Sequence, residues 1–189
     1  VDALIELEAE YKNNVHTILQ LRHHEAILEL KDKIKNGLSD KVYDIDLTYI
    51  TSRGNWYYTS WKGNEEKSGG IASNIGVHFF DMLQWIFGPL ENSSVDIKTK
   101  DTNSGKLNFK QANVNWYLSI NANNLPQQAK NDGLSTFRNL SIEGEEIEFS
   151  KGFTDLHTVS YQHILDGKGY GLADAKSSIE IVSEIRNQK

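Results

Sequence analysis

The sequence predicts an α+β fold: an open, largely antiparallel β-sheet with helices on one face. Two observations lead there. β-rich runs gather in one block, around 94–101, 107–109, 114–121, 136–143 and 146–149, divided by Asn-, Gly- and Asp-rich turns. Apolar residues at helical spacing lie mainly outside that block, over 24–36, 69–87, 156–165 and 173–186. Strands in a block with helices to cover them make a sheet layer under a helical layer. No internal repeat or low-complexity tract is visible.

Each element has its own signal. Asp2 to Tyr11 sets Leu4, Ile5 and Leu7 among acids and reads as a helix, and Val15 to Leu21 reads as a short strand. Ile27, Leu30 and Ile34 give the next helix one apolar face, with Gly37 placed to end it. Val42 to Thr51 alternates as a strand with one buried face. Residues 52–68 read as a long polar and aromatic loop. From Gly69 to Phe87, Ile75, Phe79, Met82, Leu83 and Ile86 mark a helix that Gly88-Pro89 stops. The later strands suggest an antiparallel meander. The last helix sets Ile179, Val182 and Ile185 at helical spacing.

Composition excludes several functions. The chain has 189 residues, with 20 Lys plus Arg against 26 Asp plus Glu, a net charge of −6. This balance, without a dense basic tract, argues against nucleic-acid binding, which rests on neutralising phosphates. No apolar run approaches the ~18–20 residues of a membrane span, so no membrane partner is expected. With no cysteine there is no thiolate nucleophile and no cysteine-ligated metal. The N-terminus lacks the basic and apolar regions of a signal peptide. The only methionine is the internal Met82, and the chain reads as a piece of a longer polypeptide.

Chemistry-bearing residues concentrate in two adjacent segments, Arg53 to Gly63 and Ser68 to Asp81. Asn74, His78 and Asp81 stand four and three apart, so they approach one stripe of a helix. Gly69 and Gly70 precede that helix, where free backbone N–H groups can meet a ligand oxygen. Gly76 costs ~1 kcal/mol relative to alanine inside a helix, so something must pass close to it. His78 can serve as a general acid/base near neutral pH, with Asn74 orienting a substrate. The plain alternative is a core histidine whose hydrogen bond Asp81 accepts. A shared metal is a third reading, unsupported by any second ligand pair.

Arg53 and Lys62 can neutralise a carboxylate or diphosphate. Tyr57 and Trp61, with Trp56 and Tyr58, offer flat faces to a base or sugar ring, or else pack on the sheet. Arg22 follows the end of the expected strand, a usual place for binding groups. Arg138 either reaches a ligand or pairs with Glu143 or Glu145.

The run Gly-Gly-Ile-Ala-Ser-Asn-Ile-Gly-Val-His-Phe-Phe-Asp over 69–81 resembles the signature of the glucose-fructose oxidoreductase/inositol dehydrogenase (Gfo/Idh/MocA) family. Thr48 to Gly54, Ser60 to Gly63 and Gly152 to His157 are similar to the branch that oxidises UDP-N-acetylglucosaminuronic acid (WbpB/WlbA type). Gly169 to Ala175 resembles the family's entry to its last helix. The resemblance implies a Rossmann domain binding NAD ahead of this chain, with a lysine of a Glu-Lys-Pro motif working beside His78. Neither a Gly-x-Gly-x-x-Gly fingerprint nor Glu-Lys-Pro occurs here.

The expected division is therefore a Rossmann remnant over 1–21 and a substrate-binding and oligomerisation domain over 22–189, inactive alone. Where the general signature has Asp, this chain has Asn74, a substitution that suits an anionic substrate. The implied reaction is oxidation of the sugar's C3 hydroxyl by NAD in bacterial, cytoplasmic synthesis of a surface polysaccharide. The implied catalytic residue is His78, with Asn74, Arg22, Arg53, Lys62, Trp61, Tyr57 and Arg138 on the substrate, and Asp81, Gly69 and Gly70 in support. The implied partners are the UDP-sugar and further copies of the chain, as dimer or tetramer through the open sheet face, with no metal. A noncatalytic sugar-binding or assembly domain, or an enzyme acting on a free polyol, is the competing reading.

Overall fold

The computed structural model describes residues 1–12, 14–38, 40–147 and 152–188. The first helix, α1 (Asp2–Tyr11), buries none of its residues. The strand expected over 15–21 does not form. A strand is defined by its pairing, and Thr17 makes only one isolated antiparallel bridge, to Tyr170. The chain then winds into a 3₁₀ turn over Gln20–His23.

Helix α2 (Glu25–Lys35) buries Ile27, Leu30 and Ile34, the stripe that the spacing predicts. Glu25 in its first turn and Lys33 and Lys35 in its last suit the helix dipole. Gly37 follows without the left-handed turn expected of it. Strand β1 (Tyr43–Thr51) buries Ile45 and Leu47 and exposes Asp44 and Asp46.

Residues 52–68 are more ordered than a loop. They form α3 (Asn55–Thr59), a 3₁₀ turn (Trp61–Gly63) and α4 (Glu65–Ser68). Local caps supply the reason. Ser60 Oγ accepts from the Lys62 backbone at 3.3 Å, and Asn64 Oδ1 from that of Lys67 at 3.0 Å. Such single turns are too short to show an apolar period.

Gly69 and Gly70 adopt φ of 81° and 71°. A π-helical turn, Ala72–Gly76, then leads into α5 (Val77–Phe87). Helix α5 is apolar nearly all round and buries Phe79, Phe80, Met82, Leu83, Ile86 and Phe87, because α2 and a later helix cover its outer side. Gly88, at φ 89°, ends it before Pro89.

Strands β2 (Leu90–Lys98), β3 (Thr102–Phe109) and β4 (Ala112–Ser119) form an antiparallel meander. A 3₁₀ turn (Ala122–Asn124) and α6 (Gln127–Asn131) precede β5 (Thr136–Ile142) and the short β6 (Glu145–Glu146). The rest of the strand expected over 146–149 lies outside the described residues, Ile147 excepted. Helices α7 (Leu156–Leu165) and α8 (Leu172–Asn187) close the chain. In α8 the buried stripe is Ser178, Ile181, Val182 and Ile185. Ile179, expected in it, is exposed.

The sheet order is β2-β3-β4-β1-β5-β6. The expected meander covers only part of it: β1 inserts between β4 and β5, parallel to the former and antiparallel to the latter. The parallel pair places Ile45 beside Val114 and Leu47 beside Trp116, so apolar side chains of both strands meet the helices. Fully burying each such large side chain contributes ~1.5–3 kcal/mol. The opposite face is polar at its centre. Asn108 donates to Asn113 at 2.7 Å, Asn113 to Asp44 at 3.4 Å and Asn115 to Asp46 at 2.9 Å. No helix among the described residues is long and apolar enough to cross a membrane.

Gly76 is the close approach its helical position implies. A Cβ there would lie 2.7 Å from the Phe80 ring and 2.8 Å from Leu118 Cδ1. Both neighbours are fully buried and have little room to yield. Overpacking costs ~1–3 kcal/mol, which outweighs the ~1 kcal/mol gained by alanine over glycine in a helix. Gly76→Ala should lower the Tm by a few degrees in a calorimetric melt, and an unchanged or raised Tm would contradict this packing.

Candidate functional site

A cavity of about 230 Å³ opens between the 3₁₀ turn, the start of α5 and the sheet. The turn contributes Gln20 and Leu21, the helical segment Asn74, Ile75, His78 and Phe79, and the strands Tyr49 and Arg138. Arg53 and Phe153 complete the wall. The volume is below the ~300–1,000 Å³ of a pocket that encloses a whole drug-sized ligand, so it suits one ring or head group of a larger molecule.

Arg53 sits just past β1, where its backbone N–H donates to the Ile120 carbonyl at 3.0 Å. Its Nε is buried and has no partner among the described residues. The Arg138 guanidinium lies over the rings of Phe153 at 4.2 Å and Tyr49 at 5.2 Å, rather than against Glu143 or Glu145. Neither arginine forms an ion pair among the described residues. Two guanidinium groups thus face one cavity without a counter-charge among the described residues.

Asn74 is fixed from behind. Its amide nitrogen donates to Tyr57 Oη at 3.0 Å and to the Lys62 carbonyl at 3.2 Å, leaving the amide oxygen for a ligand. Tyr57 is buried and acts through its hydroxyl, not as the stacking face expected. Burial pushes that phenol above its ordinary range, against the Asn74 hydrogen bond. The π-helical turn places Asn74 here, and such turns recur at functional sites.

His78 faces the same cavity, and its ring makes no hydrogen bond among the described residues. Burial holds its pKa below the ordinary histidine value, with Asp81 pulling upward and His157 adding to the depression. The imidazole is therefore neutral at physiological pH, the form that accepts a proton.

Asp81 does not accept a bond from His78. Both its oxygens are taken by Arg22, through Nε at 3.0 Å and Nη2 at 2.7 Å. Arg22 also donates to the Asp174 carbonyl at 3.1 Å and lies 4.7 Å over the Tyr170 ring. The two side chains are 7% and 3% exposed. Arg22, expected to face a substrate, is thus turned inward. It follows an irregular turn rather than a strand, and that turn directs it toward α5 and α8. Burial pushes the Asp81 carboxyl up while the Arg22 bonds oppose the shift.

The remaining expected residues lie elsewhere. Lys62 and Gly70 line a separate small cleft with Tyr57, Lys100 and Asn103. Trp61 is exposed, with the Lys62 ammonium 5.8 Å from its ring. Gly69 serves as the C-cap of α4. Gln20, Tyr49 and Phe153 join the cavity without having been singled out. Tyr49 and Phe153 each lie in a stretch that carries the family resemblance, Thr48–Gly54 and Gly152–His157. Among the described residues no group of three or more His, Asp or Glu converges as a metal site. The described residues also contain no glycine-rich turn from a strand into a helix, the usual seat of a dinucleotide's pyrophosphate.

A model of the C-terminal α/β domain of an oxidoreductase family matches residues 31–123. Two structures of the WlbA (WbpB) dehydrogenase from Thermus thermophilus superpose over the whole chain. One, with NAD and α-ketoglutarate, is 43% identical at a TM-score of 0.94, and the other, with NAD and UDP-GlcNAcA, is 42% identical at 0.93. The chain spans 60% of the length of each. The WlbA dehydrogenase of Bordetella pertussis, at 17% identity and a TM-score of 0.72 over 96% of this chain and 62% of its own, shares the fold. YteT of Bacillus subtilis, named as an oxidoreductase, is 26% identical over 45% of this chain and 20% of its own length.

Two expectations follow from this geometry. Removing one partner of a buried pair leaves an uncompensated charge at ~3–5 kcal/mol. Arg22→Met should lose about that much in denaturant unfolding, and Arg22→Met/Asp81→Leu should recover a large part; a double variant no more stable than the single one would contradict it. For His78, the unfolded chain binds a proton near pH 6.5 and the folded chain resists it. Its contribution is complete above about pH 6.5 and is lost as pH falls through the lower folded value. His78→Asn should flatten stability against pH in that acidic window, and an unchanged slope would count against a buried neutral imidazole.

Proposed function

We infer that this chain, which belongs to the Gfo/Idh/MocA oxidoreductase family through its C-terminal α/β domain, supplies the substrate pocket of a nucleotide-sugar dehydrogenase. The observation that carries the reading is the cavity itself. Arg53 and Arg138 face it without acidic partners among the described residues, and the neutral His78 stands beside them. An anionic sugar would satisfy the arginines, each able to grip a carboxylate with two donors. The likeness to the Thermus WlbA dehydrogenase, solved with NAD and UDP-GlcNAcA, supports a UDP-linked N-acetylated glucuronate as that sugar.

In this reading the C3 hydroxyl of the ring lies within reach of His78, whose imidazole takes the hydroxyl proton as the alcohol is oxidised to a ketone. NAD, when bound, would be the two-electron oxidant that accepts the C3 hydride. Asn74 orients the ring through its free amide oxygen and, being uncharged, adds no repulsion against the acid. Arg53 and Arg138 hold the carboxylate. Lys62 and Trp61, outside the cavity, meet the nucleotide portion. Gly69 and Gly70 shape the entry to the helix that carries Asn74 and His78, and Asp81 and Arg22 hold that helix in place.

NAD belongs, in this proposal, to a preceding domain of the whole protein, for which residues 1–21 are the trailing segment and 22–189 the substrate half. Further copies of the chain would meet the open sheet face.

The reading predicts a ligand order. Calorimetric titration of the chain should show UDP-N-acetylglucosaminuronic acid binding more tightly than UDP-N-acetylglucosamine, and NAD not binding. Equal affinity for the acidic and neutral sugars would remove the role given to the arginines. In the whole protein, His78→Ala should lower kcat by ~10²–10⁴-fold, the usual share of a general acid/base, with substrate affinity changed only a few-fold. Near-normal turnover in that variant would end the mechanistic assignment.

A further inference from the structure

We propose that Gln20 is a specificity-determining residue of this site, its side-chain oxygen accepting a hydrogen bond from an N–H or O–H on the ligand's sugar ring. Gln20 opens the 3₁₀ turn and lines the same cavity as Asn74, His78, Arg53 and Arg138. Its Oε1 is buried, and no group among the described residues donates to it. Native structures leave few such atoms without a partner, and one at a ligand cavity is the complement of a ligand donor.

The turn that holds Gln20 cannot easily swing the oxygen elsewhere. Two residues on, Arg22 is clamped by both oxygens of Asp81 and by the Asp174 carbonyl, and its backbone N–H donates to Leu19 at 3.0 Å. Arg53 Nε, the other buried atom of the cavity wall without a partner among the described residues, is a donor. The two atoms together ask for a ligand that carries an acceptor, met by an acid, and also a donor. A bare anion satisfies only Arg53. An N-acetylated or hydroxylated uronate ring satisfies both, so the inference rests on the reading above and sharpens it to the ring's own donors.

The test measures Kd by calorimetry in the whole protein for UDP-N-acetylglucosaminuronic acid, UDP-glucuronic acid and UDP, in wild type and Gln20→Met, which keeps side-chain length without the acceptor. A binding group left unpaired costs about tenfold or more in affinity. Gln20→Met should lose about that factor for the acetamido sugar and stay within about twofold of wild type for UDP, on the same scale. Loss confined to the acetamido sugar identifies its N–H as the donor, and equal loss for both sugars identifies a ring hydroxyl; either supports the proposal.

No loss for either sugar would overturn it, as would a Gln20→Met variant that melts normally and loses UDP to the same extent. If that variant does not fold, the wild-type protein decides: its Gln20 side-chain amide resonance should move with the sugar nucleotide and not with UDP, and a resonance indifferent to both overturns the assignment. Wild-type protein that binds neither sugar would instead sink the nucleotide-sugar reading itself, a failure visible before any substitution is made.

Discussion

The buried pair of Arg22 and Asp81 is the constraint on which the site depends. One guanidinium joins three pieces of chain: the 3₁₀ turn that carries it, α5 through the Asp81 carboxylate, and α8 through the Asp174 carbonyl. The Tyr170 ring beneath it completes the enclosure. A charge pair this deep gains little net stability over an apolar substitute. Its effect is geometric, since bidentate bonds leave the turn one orientation relative to the helix. Gln20 lies two residues before Arg22, and His78 three residues before Asp81. Fixing the pair therefore fixes two walls of the cavity.

The same pair separates roles among neighbouring polar side chains. With both Asp81 oxygens engaged by Arg22, His78 hydrogen-bonds no carboxylate among the described residues and keeps a depressed pKa through burial. A histidine bonded to that carboxylate would instead be drawn toward its charged form. Asn74 is anchored in a comparable way, its amide nitrogen held by Tyr57 and the Lys62 carbonyl. In each case a second layer of polar contacts settles which atom is left to face a ligand. Among the described residues, the positive charge of Arg53 and Arg138 is left without such a partner.

Much of the fold was legible because it depends on periodicity and local chain chemistry. The stripe Ile27, Leu30 and Ile34, the alternation along β1 and the stop at Gly88-Pro89 are each short-range signals. What escaped were features set by partners distant in sequence. Residues 15–21 have strand-like composition, yet no neighbouring strand offers them a ladder. The parallel seam between β1 and β4 joins segments nearly seventy residues apart, and no local pattern announces it. Ile179 fits a helical stripe as well as Ile181 does, but only the placement of α8 on α5 decides which of them is buried.

The site divides along the same line. By itself, the sequence determined that Asn74 and His78 share a helix face, that Gly76 marks a close contact, and that the chain resembles a sugar-oxidising family, because helical spacing and contiguous motifs are written in consecutive residues. Tertiary structure alone decided that Arg22 turns inward, that Tyr57 braces Asn74 instead of stacking, that Lys62 and Trp61 stand outside the cavity, and that Gln20 stands within it. Residue type establishes what a side chain can bind; which way it points depends on groups brought from elsewhere in the chain, and those are chosen only when the helices close over the sheet.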